Sequence, residues 1–417
     1  MSEDGSGRQG ASSAAVPASP LEDDNLLSLI LHRLPAVPSS LLRASLVCKG
    51  WRSLVSDPRF LRDFRTYHKN SPLLGFFSGD LLGNVEFTTM LGSSDCIPAS
   101  RFSLCLRPGS RFLCSHHGRI LILDQEEQQF LVWDPVTGEL GNIAFPPAFN
   151  GKMLFIIDGG IVCAATDQGH VHGACHSDPF RLVFLGEDRE RILACAYSSE
   201  TRAWGNLFSI MRPPYFVRYN SPKCPSTLSR NSISLLLFGD KAVILEFDWG
   251  KGNLALIDVP SDAYDFDAFI GGMCQFMIAH VDSGGLCFYL LSAFSVHVWK
   301  RVCNSDGIAT WMLEDTIELR NLLSLKPTMH LTILGLDEDN KVILKLTDSV
   351  VFMVSLESMQ FKTLSTQLPF YSFSFHPFKS FYTPDQSHTK TFATANSTTK
   401  LLADNIPRSA GICGLLQ

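Results

Sequence analysis

The residues of this chain best suited to coordination chemistry stand close together at His170-x-His172-x-x-Cys175-His176, with Asp178 just beyond. Imidazole nitrogen and thiolate sulfur are the donors that zinc and copper prefer. Gly169 and Gly173 flank these side chains, and glycine supplies the backbone freedom of a turn. The stretch therefore reads as a loop between strands whose histidines meet water, and no metal is assigned to it. The carboxylates Asp124, Asp158, Asp248 and Asp337 mostly close apolar runs, where aspartate serves turns by bonding nearby backbone. No G-x-S-x-G elbow, phosphate-binding glycine loop or H-E-x-x-H helix is spelled anywhere. No catalytic, cofactor-binding or metal residue is assigned, and no cofactor is expected. Arg189, Arg191, Arg202, Lys300 and Arg301 are interleaved with acids and read as a solvated rim, not a nucleic-acid groove.

Composition narrows the class. The 417 residues carry 35 basic against 41 acidic side chains, a formal charge of -6, which supplies no global field for nucleic acid or anionic membrane. Twelve cysteines are scattered singly, without a C-x-x-C pair, as expected of reduced thiols in a cytoplasmic or nuclear protein. The first twenty residues are small and polar and lack the apolar core of a secretory signal. The most apolar run, Leu286 to Val298, is broken by Ser292, Ser295 and His297, too short to span a bilayer.

Two kinds of element must position whatever the protein does. Between Leu21 and Phe64 the apolar residues recur at helical spacing, first Leu26, Leu27, Ile30, Leu31 and Leu34, then Leu41, Leu42, Leu46 and Trp51. Asp23, Asp24 and Asn25 suit the start of the first helix, and Pro35 and Pro38 its end. Ser39 or Ser40 is expected to cap the second helix, Lys49-Gly50 to precede the third, and Asp57-Pro58 to end it. A bundle this small carries more large apolar side chains than it can enclose, so part of its surface must meet a partner or the following domain.

The segment LEDDNLLSLILHRLPAVPSSLLRASLVCKGWRSLVSDPRFLRDF resembles an F-box, most specifically at V-C-K-x-W-R, Val47 to Arg52. Glu22 departs from the proline common after the opening leucine. The resemblance implies three helices that dock on the Skp-type adaptor of a cullin-RING ubiquitin ligase. It carries over Leu26, Leu27, Ile30, Leu34, Leu42, Val47, Cys48, Trp51 and Leu54 as adaptor-binding positions, while Trp51 and Leu46 can equally belong to the internal core.

From Leu73 onward short apolar runs alternate with Gly, Asp, Asn and Ser turns, the signature of strands. A unit of strand, aromatic, polar turn and strand recurs: Trp133, Tyr197, Phe247, Trp299 and Val354 mark it at intervals of 64, 50, 52 and 55 residues. A period near 50 with several strands each predicts propeller blades, because one such sheet needs neighbours on both sides to bury its faces. With an earlier module over Leu73 to Leu106 the expected number is six, within a range of five to seven. The run Tyr371 to Phe375 is expected to return to the first blade, since an open ring leaves bare strand edges. The phrases V-W-D-P-V-T-G and F-Y-T-P-D resemble those of the large plant group of F-box proteins with an associated, kelch-like β-propeller.

The expected organisation is a polar segment over 1–20, a three-helix F-box over 21–66, an all-β propeller of about six blades over 70–383 and a flexible tail over 384–417. The function so implied is recruitment: the head binds the adaptor and through it cullin, the propeller binds a target protein, and no residue performs catalysis. A propeller-based enzyme or small-ligand sensor, marked by a deep central pocket of convergent polar groups, and a scaffold with a vestigial F-box are the alternatives.

Overall fold

The computed structural model describes residues 21, 23–79, 84–92, 95, 97, 99–149, 155–166, 170–213, 226–238, 242–261, 276–280, 285–303, 305–306, 308–346, 350–364 and 375–382. The helical head holds α1 (Asp24–Leu31), α2 (Pro38–Ser45), α3 (Lys49–Val55) and α4 (Pro58–His68). Asp23 caps α1 by accepting the backbone N–H groups of Asn25 (2.8 Å) and Leu26 (3.2 Å). Leu27 and Leu31 lie one turn apart on one face of α1 and join Leu41, Ala44, Val55, Phe60 and Phe64 in a common core.

Two sequence expectations are corrected here, both through proline. Pro58 does not merely stop the third helix. It stands at the first position of a fourth, where its missing N–H costs nothing, behind the cap Asp57, which accepts the N–H of Arg59 at 2.6 Å. Pro38 likewise opens α2 behind Val37, so Ser39 and Ser40 lie inside that helix and cap nothing. The N–H of Ser39, free of an intrahelical partner as in any first turn, donates to Asp95 Oδ1 at 2.9 Å in the first blade's outer loop.

Six antiparallel sheets follow. From inner to outer strand, the second blade runs Arg111–His116, Arg119–Asp124, Gln129–Trp133, Leu140–Ala144. The third runs Phe155–Cys163, Phe180–Glu187, Arg191–Ser198, Ala203–Trp204, and Phe208–Met211 also pairs with its third strand. The fourth runs Thr227–Leu228, Ser232–Leu237, Val243–Asp248, Asn253–Asp258, and the fifth Phe276–His280, Leu286–Ser292, Ser295–Cys303, Ala309–Glu318. The sixth runs Leu331–Leu336, Val342–Leu346, Val351–Ser355, Gln360–Leu364. All five repeat markers, Trp133 through Val354, occupy the third strand of their blades, as the period predicts.

The first blade is closed from the far end of the chain. Its outer three strands are Leu73–Gly79, Asn84–Thr89 and Leu104–Cys105, and its innermost is Phe375–Lys379, paired antiparallel to Leu73–Gly79. The return of the chain is as expected but falls later, on Phe375–Lys379; Tyr371 to Ser374, and the tail beyond 382, lie outside the described residues. Phe378 enters the cluster of Phe77, Phe87 and Phe102 edge-on, with ring centroids 5.1 to 6.3 Å apart.

Burial explains the strand types. Second strands are covered on both faces by adjacent blades and are mainly apolar, as in Arg119–Asp124 and Ser232–Leu237, which are buried throughout, their few polar side chains included. Outer strands are mostly exposed, as in Leu140–Ala144. Neighbouring outer strands are tied by indole donors: Trp204 Nε1 to the carbonyl of Ala144 (2.9 Å) and Trp311 Nε1 to that of Asp258 (2.7 Å).

Candidate functional site

The head exposes an apolar surface. On α1, Leu26, Leu29 and Ile30 are 45%, 52% and 43% exposed, and their i, i+3, i+4 spacing sets them on one face, away from the Leu27 and Leu31 that fill the core. At the end of α2, Leu46 and Val47 are each 61% exposed. Cys48, also exposed, caps α3 with its sulfur accepting the N–H of Trp51 at 3.5 Å. Of the nine adaptor-binding positions expected from sequence, Leu26, Ile30, Val47 and Cys48 are thus exposed, and Leu34, Leu42, Trp51 and Leu54 are half-buried. Leu27 is 2% exposed and supports the bundle from within. Sequence reasoning missed Leu29 and counted Leu46 as possible core; in helices of eight residues, spacing alone does not say which of two apolar faces turns inward.

Two groups of histidine, cysteine and glutamate side chains gather near the point where the propeller's two ends meet. The segment between Cys163 and Phe180 leaves the inner strand of the third blade and is closed at its base by Ala164 N–H to the carbonyl of Pro179 at 2.8 Å. Buried Arg119 holds its near side by donating to the carbonyls of Cys175, His176 (3.2 Å) and Asp178 (2.7 Å). At its apex Gly173 adopts φ +91°, and a Cβ there would lie 2.4 Å from Ser71 in the link from the head, so only glycine fits. The Gly173 carbonyl accepts from Ser380 Oγ (2.8 Å) and Phe381 N–H (2.9 Å), just past the closing strand.

Within this segment the side chains sort differently from the sequence reading. His170, His172 and Cys175 come together with Cys163, which that reading did not include, their donor atoms all within 4.8 Å of one another. His170 Nε2 lies 3.3 Å from Cys163 Sγ and 3.3 Å from Cys175 Sγ, and His172 Nδ1 lies 3.7 Å from Cys175 Sγ. The expectation of a merely solvated loop is corrected on this point: both sulfurs are buried and only His172 is exposed. His176 turns the other way and meets Asp134 Oδ2 at 2.6 Å. The hydrogen bond from Cys175, ahead of every other influence, draws the Cys163 thiol down to about 4; the same bond and burial push Cys175 up.

A second group, His116, His117 and Glu338, adjoins the first. Two of its members are engaged with protein: His117 Nδ1 accepts the N–H of Cys163 at 3.0 Å, and Glu338 accepts the N–H of His117 at 2.7 Å, while His116 Nδ1 is buried without a hydrogen-bond partner. Burial holds His116 down at about 3 and raises Glu338 to about 7.

The dispersed carboxylates serve local structure. Asp124 accepts from Glu127 N–H (3.2 Å), Asp158 from Gly159 (2.8 Å), Asp248 from Lys251 (2.8 Å) and Asp337 from Lys341 (2.8 Å). Asp134 organises the V-W-D-P-V-T-G turn by accepting from Val136 (2.9 Å) and Thr137 (3.1 Å). A cleft of about 920 Å³ opens between the second and third blades, with Asp134, Glu139, His176, Tyr197 and Arg202 among its walls. All eight cysteines among the described residues are free thiols, and no described helix is long and apolar enough to cross a membrane.

Comparison with known proteins places the head. Residues 24–65 match the F-box-like family model. The chain is 23% identical over 210 residues to an F-box protein of Arabidopsis thaliana, covering 47% of this chain and 49% of that one, so it spans about half the length of the curated relative it matches. Solved structures similar to it include a DUF4784 family protein from Bacteroides caccae (TM-score 0.39, 11% identity, 72% of this chain and 73% of that one). Another is the Dos1 propeller (TM-score 0.33, 7% identity, 71% of each chain). The six-bladed ring itself rests on the strand pairing described above.

Proposed function

We propose, for a chain that carries an F-box-like domain ahead of a six-bladed propeller, that it is the substrate-recognition subunit of an SCF-type cullin-RING ubiquitin ligase. The observation that carries this reading is the apolar face of Leu26, Leu29 and Ile30, exposed within the matched F-box-like residues. Four helices cannot cover both faces of α1, and an adaptor groove lined with apolar side chains removes that surface from water. Leu46, Val47 and Cys48 extend the contact, Leu34, Trp51 and Leu54 lend it their half-buried edges, and Leu27 fixes the helix beneath it. The propeller receives a target protein. The cleft between its second and third blades supports that role by offering charged groups of both signs to a polypeptide segment. The protein is a non-catalytic subunit of the cytoplasm or nucleus: it brings target and charged conjugating enzyme together, and proximity supplies the rate.

Replacing Leu26, Ile30 and Val47 together by Ser tests this. Exposed side chains contribute little to folding, so the variant keeps its circular dichroism while co-precipitation of the Skp-type adaptor falls at least about tenfold. Adaptor capture at the wild-type level would overturn the docking assignment, and a wild-type chain that captures no adaptor would establish the vestigial scaffold instead.

A further inference from the structure

We propose that Cys163, His170, His172 and Cys175 form a structural zinc site in the third blade. The four side chains are two sulfurs and two imidazoles, the donor set that selects tetrahedral zinc. A zinc ion with bonds of about 2.3 Å to sulfur and about 2.0–2.1 Å to nitrogen holds unlike ligands roughly 3.5 Å apart. Three of the four sulfur-to-nitrogen separations here, 3.3, 3.3 and 3.7 Å, bracket that value, and all four donor atoms lie within 4.8 Å of one another.

The surroundings suit an ion as well. His170 presents Nε2 to the sulfurs and leaves Nδ1 toward Asp178 Oδ2, 3.7 Å away, the carboxylate-to-imidazole arrangement that orients metal-bound histidine. His172 stacks on His117 with ring centroids 3.6 Å apart and planes 9° from parallel, which fixes its plane. His117 in turn takes the backbone N–H of Cys163 and so positions the first sulfur. All four coordination positions come from protein, and the ion holds structure and activates no water. On binding, Cys163 enters as a thiolate and Cys175 gives its proton to solvent, two S–Zn and two N–Zn bonds form, and the dication is neutralised by two thiolates.

The ion would brace the point where the ring is joined. The ligands flank Gly173, whose carbonyl holds Ser380 and Phe381 past the closing strand and whose backbone touches Ser71 at the exit from the head.

Full-length protein purified under reducing conditions without a histidine tag is the material for the test, with metal content read by elemental mass spectrometry. The expected result is about one zinc per chain, retained by His176→Ala and lost from the Cys163→Ser, Cys175→Ser double variant. Because that variant can misfold, wild-type protein stripped by chelator and reloaded with cobalt(II) gives an independent reading. It should show the intense visible bands of tetrahedral cobalt together with thiolate-to-cobalt charge transfer, and its melting temperature should drop on stripping and recover on reloading. Less than about a tenth of a zinc per chain after incubation with zinc, a cobalt spectrum without thiolate charge transfer, zinc retained by the double variant, or a Cys163–Cys175 disulfide in the intact mass would each overturn the site.

Discussion

The head and the propeller dispose of their large apolar side chains in opposite ways. Five such residues of α1 and the turn after α2 stand between 43% and 61% exposed, while the second strands of the second, fourth and fifth blades are buried almost without interruption. A blade is covered on both faces by neighbours from its own chain, so its apolar residues find partners as soon as the ring closes. The helices have enough apolar surface for two interfaces and only enough chain for one. The exposed remainder marks where a second molecule belongs, whereas the propeller reserves its charged rim and its cleft for recognition.

The contrast breaks most visibly if the ring is opened. Ending the chain after Ser374 removes the inner strand of the first blade and strips Phe77, Phe87 and Phe102 of Phe378. Soluble yield should collapse, with aggregates in light scattering, because Leu73–Gly79 becomes an unpaired edge. Ending it after Thr383 should leave yield and melting unchanged. Equal behaviour of the two truncations would mean that the ring does not depend on this closure.

Next in size is the difference between the two faces of α1. Leu27→Ala empties a site in the head's core and should cost about 2–5 kcal/mol, read from the helical signal in urea. Leu26→Ala, one residue away on the exposed face, should change stability by less than about 0.5 kcal/mol. Comparable losses would erase the distinction between core face and docking face.

Acid should distinguish the propeller. His280, half-buried on the inner strand of the fifth blade with Ser234 Oγ at 3.3 Å and Ser232 Oγ at 3.5 Å, is driven by desolvation from the usual 6.5 down to about 4. Between those values the unfolded chain binds a proton that the folded chain refuses, so stability is fully present above pH 6.5 and declines as pH falls toward 4. The loss amounts to on the order of 3 kcal/mol. His280→Gln, still able to bond the serines, should flatten that decline in denaturation curves taken across this pH range. An unchanged slope would place the acid sensitivity elsewhere. A smaller loss is local to the head: Asp57→Ala removes the cap of α4 and should cost about 1 kcal/mol in the same measurement, with no change in the propeller's β signal.

How much of this was legible beforehand depends on the range of the interaction. Helical spacing, the V-C-K-x-W-R phrase and the 50-residue period are short-range or repetitive, and they led to the head, to six blades and to the placement of Trp133, Tyr197, Phe247, Trp299 and Val354. The role of Pro58 was ambiguous because proline both ends one helix and begins the next. The side-chain cluster was only half visible. His170, His172 and Cys175 declare themselves by proximity in sequence, but Cys163 belongs to a strand and joins them only through the fold, by way of the Ala164–Pro179 bond that closes the loop's base. The same spacing wrongly suggested His176, since residues adjacent in a turn point to different neighbours and Asp134 lies on the other side.

The seam of the first blade also sets an order of events in time. Its pairing of Leu73 with Lys379 joins positions roughly 300 residues apart, and at about 5–20 residues per second a ribosome needs about 15–60 s to cover that distance. Throughout that interval the helices of the head are already synthesised, with everything their core requires, while the first blade waits for its inner strand. Translation therefore delivers the two halves as an early product and a late one, and a chaperone that shields an unfinished ring has to release it without masking a head that has long been ready to bind.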